Sequence, residues 1–208
     1  AAVAAAAAVA AAAVAAVAVA EAAETGNANT LRAAEYAARR AFCMHCGLRA
    51  NTRSGRMQLP LLVQGGMGIA VSGWKLSSAV SREGQFGVVS GTGLAAMIAE
   101  RLRHGDVGGH IRAAVAAFPS QEIGRRVFDR WYRDPTGTPP EALLTLPMPT
   151  WPLDRALCEL TVVAGFVEIY LAKLYGGTGP IGLNLLTKIE FNTLPSLYGA
   201  MLAGVDSV

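Results

Sequence analysis

The sequence has little cysteine, little histidine and little charge. Three cysteines in 208 residues are too few for the cross-linked framework of a small secreted domain, so the expected compartment is a reducing one, the cytoplasm. Eighteen basic residues against 15 acidic ones leave a net charge of only +3, and the arginines are spread among acids and apolar residues. That distribution excludes the basic stripe a nucleic-acid partner needs. Cys43-Met44-His45-Cys46 has no second ligand pair to complete a zinc site, and no histidine after its second cysteine for haem attachment. It reads as a pair of linker cysteines, and no metal site is expected. His104 and His110 flank Asp106 in a glycine loop; surface hydrogen bonding is the simpler reading, an acid–base or metal role the lesser alternative.

The first 20 residues contain nothing but alanine and valine. Alanine contributes little to membrane insertion, basic or aromatic anchors are missing at the start, and a signal peptide would carry a basic segment there. Residues 1–58 therefore read as an alanine-rich extension, helical or disordered, followed by a linker, and no membrane association is expected.

What is there begins with Leu59-Pro60-Leu61-Leu62-Val63-Gln64-Gly65-Gly66-Met67-Gly68. A short apolar run ending in glycines predicts a buried strand whose backbone, stripped of side chains, leaves room for a flat or phosphorylated ligand. Ser72 or Gly73 then caps a helix to about Arg82, with Trp74, Leu76, Ala79 and Val80 available for its buried side. Phe86 to Ser90 is a second strand closing in Ser90-Gly91-Thr92-Gly93. Strand, glycine turn, helix and strand in this order form a βαβ unit, which places both turns at the same carboxyl edge of a parallel sheet.

Leu94 to Arg103 predicts a helix with Leu94, Met97, Ile98 and Leu102 on one face. The rhythm then breaks. About 104–152 reads as an insertion or lid with short helices at Ile111–Phe118 and Ile123–Trp131 and a proline-rich remainder. Leu153 to Tyr175 has helical spacing, although Thr161-Val162-Val163 would also suit a strand. Ile181 to Leu186 is the next buried strand, and its Asn184 serves either the core or a ligand. A helix over Thr193–Ala203, with its proline in the first turn, precedes a strand starting at Val205.

The segments VQGGMGIAVSGW, AVSREGQFGVVSGTGL, RLRHGDVGGHIRAAVAAFP, GPIGLNLL and LPSLYGAMLAGVD, in this order over residues 59–208, resemble the nitronate monooxygenase family. The resemblance implies a (β/α)8 TIM barrel that binds FMN at the carboxyl ends of its strands and oxidises alkyl nitronates with O2. It implies cofactor contacts by Gln64, Gly65, Gly66 and Met67 in the first turn, by Ser90, Gly91 and Thr92 in the second, and by Asn184. The family's catalytic histidine and phosphate loops belong to the second half of the barrel, so no catalytic residue is assigned. Strands near Val63, Val88, Leu183 and Val205 suit the N-terminal part of that barrel. The chain thus reads as a fragment, inactive alone, whose open edges invite self-association. A flavin-dependent enoyl reductase-like domain and a non-catalytic half-barrel association module are the alternatives.

Overall fold

The computed structural model describes residues 60–134, 146, 154–186, 188 and 190–208. All lie in a unit made of Pro60–Pro149 and Asp154–Val208. The alanine-rich extension, Cys43 and Cys46, and the larger part of the proline-rich stretch lie outside the described residues.

Short apolar stretches that each contain a glycine form two short parallel strands, β1 (Gly87–Ser90) and β2 (Ile181–Asn184). Gly87 stands opposite Ile181, and the register runs on to Ser90 opposite Asn184. A single parallel bridge adds one segment on each side, Val63 beside Phe86 and Ser207 beside Gly182. The four segments therefore lie side by side in chain order and point the same way. The outer two are bridges and not full strands, each with one neighbour to hydrogen-bond. On one side Gln64 N–H donates to the Phe86 carbonyl at 2.9 Å and Phe86 N–H to that of Leu62 at 3.1 Å; on the other, Leu183 N–H donates to Ser207 at 2.9 Å. All four residues of β1 are buried, and since successive side chains alternate between the faces, the strand is covered on both, as a parallel strand between helices must be.

Helix α1 (Trp74–Arg82) corrects the expected buried face. Its buried residues are Trp74, Ser77, Ser78 and Ser81, while Leu76 is 39 % exposed. The period was legible, the phase was not, and the reason is proximity. A Cβ placed on Gly87 would lie 2.1 Å from the Ser77 carbonyl oxygen, so the helix backbone rests almost on the strand and only small side chains fit between them. Each serine satisfies its hydroxyl on nearby carbonyls: Ser77 on Gly73 at 3.0 Å, Ser78 on Lys75 at 3.0 Å and Ser81 on Gly179 at 2.7 Å.

Helix α2 (Leu94–Arg103) has the bounds and the buried face that its spacing predicts. The insertion supplies α3 (His110–Ala116) and α4 (Gln121–Trp131), which pack on each other and on α5 (Arg155–Leu174). The ambiguous run at Thr161–Val163 is helical and inside α5. Asp154 caps that helix by accepting from Leu157 N–H at 3.1 Å. The β-branched Thr161 is accommodated there because its hydroxyl donates to the Leu157 carbonyl at 2.7 Å. Helix α6 (Glu190–Leu202) begins before the expected Thr193, which puts Pro195 inside it and not in its first turn. It packs closely on α5, where Cβ atoms on Gly199 and Gly165 would stand only 2.0 Å from the Val162 carbonyl oxygen and 2.6 Å from that of Ser196. No helix among the described residues is long and apolar enough to cross a membrane.

Candidate functional site

The parallel arrangement carries the ends of Val63, β1 and β2 to one edge, where the turns 64–68, 90–93 and 184–186 meet. Asn184 joins them: its Nδ2 donates to the Gly65 carbonyl at 3.1 Å, and its backbone carbonyl accepts from Gly91 N–H at 2.8 Å. Gly66 is buried with φ +63°, and a Cβ there would lie 2.5 Å from Val88 Cγ1 and 3.1 Å from Asn184 Cβ. The turn closes over the strand only because that side chain is missing. Gly65 differs, since a Cβ there would meet nothing within 4 Å. Gly65 is exposed beside Met67, which is 76 % exposed, and the exposed Asn184. Ala70, two residues beyond Gly68, holds φ 60°, a conformation that costs an L-residue about 1–2 kcal/mol.

Gln64, expected to face a ligand, spends both ends of its amide within the chain. Oε1 accepts from Val88 N–H at 2.9 Å, and Nε2 donates to Ser72 Oγ at 3.0 Å. Ser72 is buried and in turn donates to the Met67 carbonyl at 2.6 Å, while its own carbonyl accepts from Ser90 N–H at 2.8 Å. Ser90 is buried as well. Gly91 and Thr92, with Gly93, Leu185, Leu186, Asn192 and Thr193, line a shallow recess of about 20 Å³ open to solvent, room for a water molecule and far below the roughly 300–1,000 Å³ of ordinary ligand pockets. The outward-facing part of the site is thus Gly65, Met67, Thr92 and Asn184, and Gln64, Gly66 and Ser90 hold it in shape.

The sequence reading missed Glu168, the one acid in the apolar stretch Leu160–Ala172 of α5. Its side chain is 0 % exposed. It forms an ion pair with Arg101 of α2, and it accepts from Trp74 N–H at 2.8 Å, at the first residue of α1. That N–H is one of the donors a helix start leaves without an intrahelical acceptor. Burial pushes the Glu168 carboxyl above the ordinary glutamate range, and the attraction of Arg101 and the Trp74 N–H offsets only part of that rise. A solitary carboxylate among apolar residues at a helical period was the available signal.

His104, Asp106 and His110 do not form a cluster of reactive groups. His104 pairs with Glu100 at 3.0 Å on an exposed surface. Asp106, buried and at φ 48°, accepts from Ile111 and Arg112 N–H at 3.0 and 2.9 Å and so starts α3. The His110 ring packs against Trp74 and Tyr175, with centroids 4.9 and 5.7 Å away. No group of three His, Cys, Asp or Glu side chains suited to a metal ion occurs among the described residues.

Compared with protein-family models, with curated proteins and with solved structures, the chain matches none.

Proposed function

We propose that the carboxyl edge formed by Gln64–Met67, Ser90–Thr92 and Asn184 is an FMN-binding surface, and that the chain is part of a flavin-dependent oxidoreductase of the nitronate monooxygenase kind with a (β/α)8 architecture. The carrying observation is that Asn184 bonds to Gly65 and to Gly91, so that the turns assigned to flavin by resemblance form one continuous surface. Open space over Gly65 suits the close approach of a flat ring to backbone. Bound there, FMN would supply a two-electron acceptor for an alkyl nitronate, with O2 as the final oxidant. The chain's own residues would do the holding: Met67 gives an adaptable apolar contact, Asn184 keeps the first turn at a fixed height, and Gln64 with Ser72 locks both turns to the sheet.

FMN titrated into the 208-residue chain should show saturable quenching of flavin fluorescence, and Gly65→Val should remove it while the far-UV circular dichroism is unchanged. Absence of saturable binding by the unmodified chain rejects the reading. A second reading, association of copies through the open sheet edges, is favoured by one observation: Leu61 and Val63 at the outer segment are 96 % and 57 % exposed. Sedimentation equilibrium distinguishes them, since a dimer that binds no FMN supports only the second.

A further inference from the structure

We infer that Glu168 is a positioning residue for the glycine-rich turn, acting on it from α5 through Trp74 and Ser72; the consequence for ligand binding rests on the function proposed above, the positioning itself does not. Glu168 Oε2 accepts from Trp74 N–H at 2.8 Å. This fixes the first residue of α1 against α5, 94 positions away in the chain. The carboxylate also presses on the N-cap, since a Cβ on Gly73 would lie 3.1 Å from Oε2 and 3.5 Å from an Arg101 guanidinium nitrogen. Arg101, with its side chain 34 % exposed, holds the other oxygen from α2. Two residues before Trp74 stands Ser72, which carries the connection to both turns: its hydroxyl donates to Met67 and accepts from Gln64, and its carbonyl accepts from Ser90.

The start of α1 is therefore held from three sides, and the buried acid provides the anchor that does not belong to the sheet. A glutamate at 0 % exposure among the apolar residues of the inner part of α5 costs desolvation that a leucine would avoid. Its return is the placement of one backbone N–H, and through it the shape of Gln64–Gly68. Removing the carboxylate leaves Trp74 N–H without that acceptor and lets the helix start move. The motion passes to Ser72 and then to Met67 and Ser90, while β2 keeps its own hydrogen bonds and α5 and α6 their packing.

Amide hydrogen exchange on the full 208-residue chain, without FMN, tests this. In Glu168→Ala, the amides of Val71, Ser72, Val88 and Ser90, which bond to Gly68, Gly68, Gln64 and Ser72, should exchange about five- to tenfold faster, the factor expected from losing one hydrogen bond. Ile181–Leu183 and the centre of α6 should keep their rates. Glu168→Gln, which retains an acceptor oxygen for Trp74 N–H, should return the turns to near wild-type exchange. Should Glu168→Ala fail to fold, Ser72→Ala removes the hydroxyl that joins Met67 and Gln64 while keeping the carbonyl bond to Ser90, and should accelerate Val71 and Val88 but not Ser90. Turn amides at wild-type rates in a folded variant, or equal acceleration throughout the chain, overturn the inference. A wild-type chain that binds no FMN but shows the local acceleration rejects the proposed ligand and leaves the positioning role standing.

Discussion

Asn184 Nδ2 lies 3.1 Å from the carbonyl oxygen of Gly65, a residue 119 positions earlier, and this bond ties the last strand end of the site to its first. It also decides how the two neighbouring glycines should be probed. Gly65→Val places its branched side chain in open space and should leave stability within about 0.5 kcal/mol, as surface substitutions usually do. Gly66→Val must tolerate φ +63° and a Cβ only 2.5 Å from Val88 Cγ1, so it should cost about 2–5 kcal/mol in strain and overpacking. Urea unfolding of the two variants checks the ordering, and equal destabilisation contradicts it.

Asn184→Leu removes the donor to Gly65 but keeps the backbone bond to Gly91. Because Asn184 is exposed, stability should fall by only about 0.5–1.5 kcal/mol, whereas FMN affinity should fall severalfold as the first turn loses its support. Lower stability with unchanged flavin affinity would return Asn184 to a purely structural role.

How much of this was legible in the sequence depends on which forces act locally. The bounds of α2 and the place of β1 follow from residue spacing, because their faces are buried in the ordinary way. The strand-end turns were legible for the same reason: glycine clusters after apolar runs have few other uses. Helix α1 was misphased because its packing partner is the backbone of Gly87, which leaves no trace in the helix's own hydrophobic pattern. The resemblance implies a flavin contact for Gln64, and what the sequence did not indicate is that its amide is used by Val88 and Ser72, partners that only the tertiary fold brings near. Glu168 was passed over because the local pattern of α5 gives an acid no reason to be there; the reason is a helix start in another part of the chain.

Cys158 is the free cysteine of the described residues. Burial raises its thiol pKa, and the charges of Glu159 and Asp154 add to the rise. In a chain with Cys43 and Cys46 changed to serine, Cys158 should react with a disulfide reagent at neutral pH more slowly than after unfolding in urea, by at least about tenfold. Equal rates in the two states would mean that the thiol is neither covered nor repelled by its neighbours.

The pH dependence of stability follows from Glu168, whose carboxyl is held above the ordinary range first by burial, with Arg101 and the Trp74 N–H pulling the other way. A group whose folded pKa exceeds its unfolded one binds its proton more tightly in the fold. Its contribution is then complete below the unfolded pKa and is lost as pH rises through the folded one. The stability of the wild-type chain relative to Glu168→Gln should therefore decline with rising pH from the ordinary glutamate range upward. The slope should not exceed about 1.4 kcal/mol per pH unit, the value for one proton. Urea midpoints for both proteins at several pH values measure the difference directly. A difference that grows with pH would mean that the attraction of Arg101 outweighs the cost of burying the charge, and the direction assigned to Glu168 would be reversed.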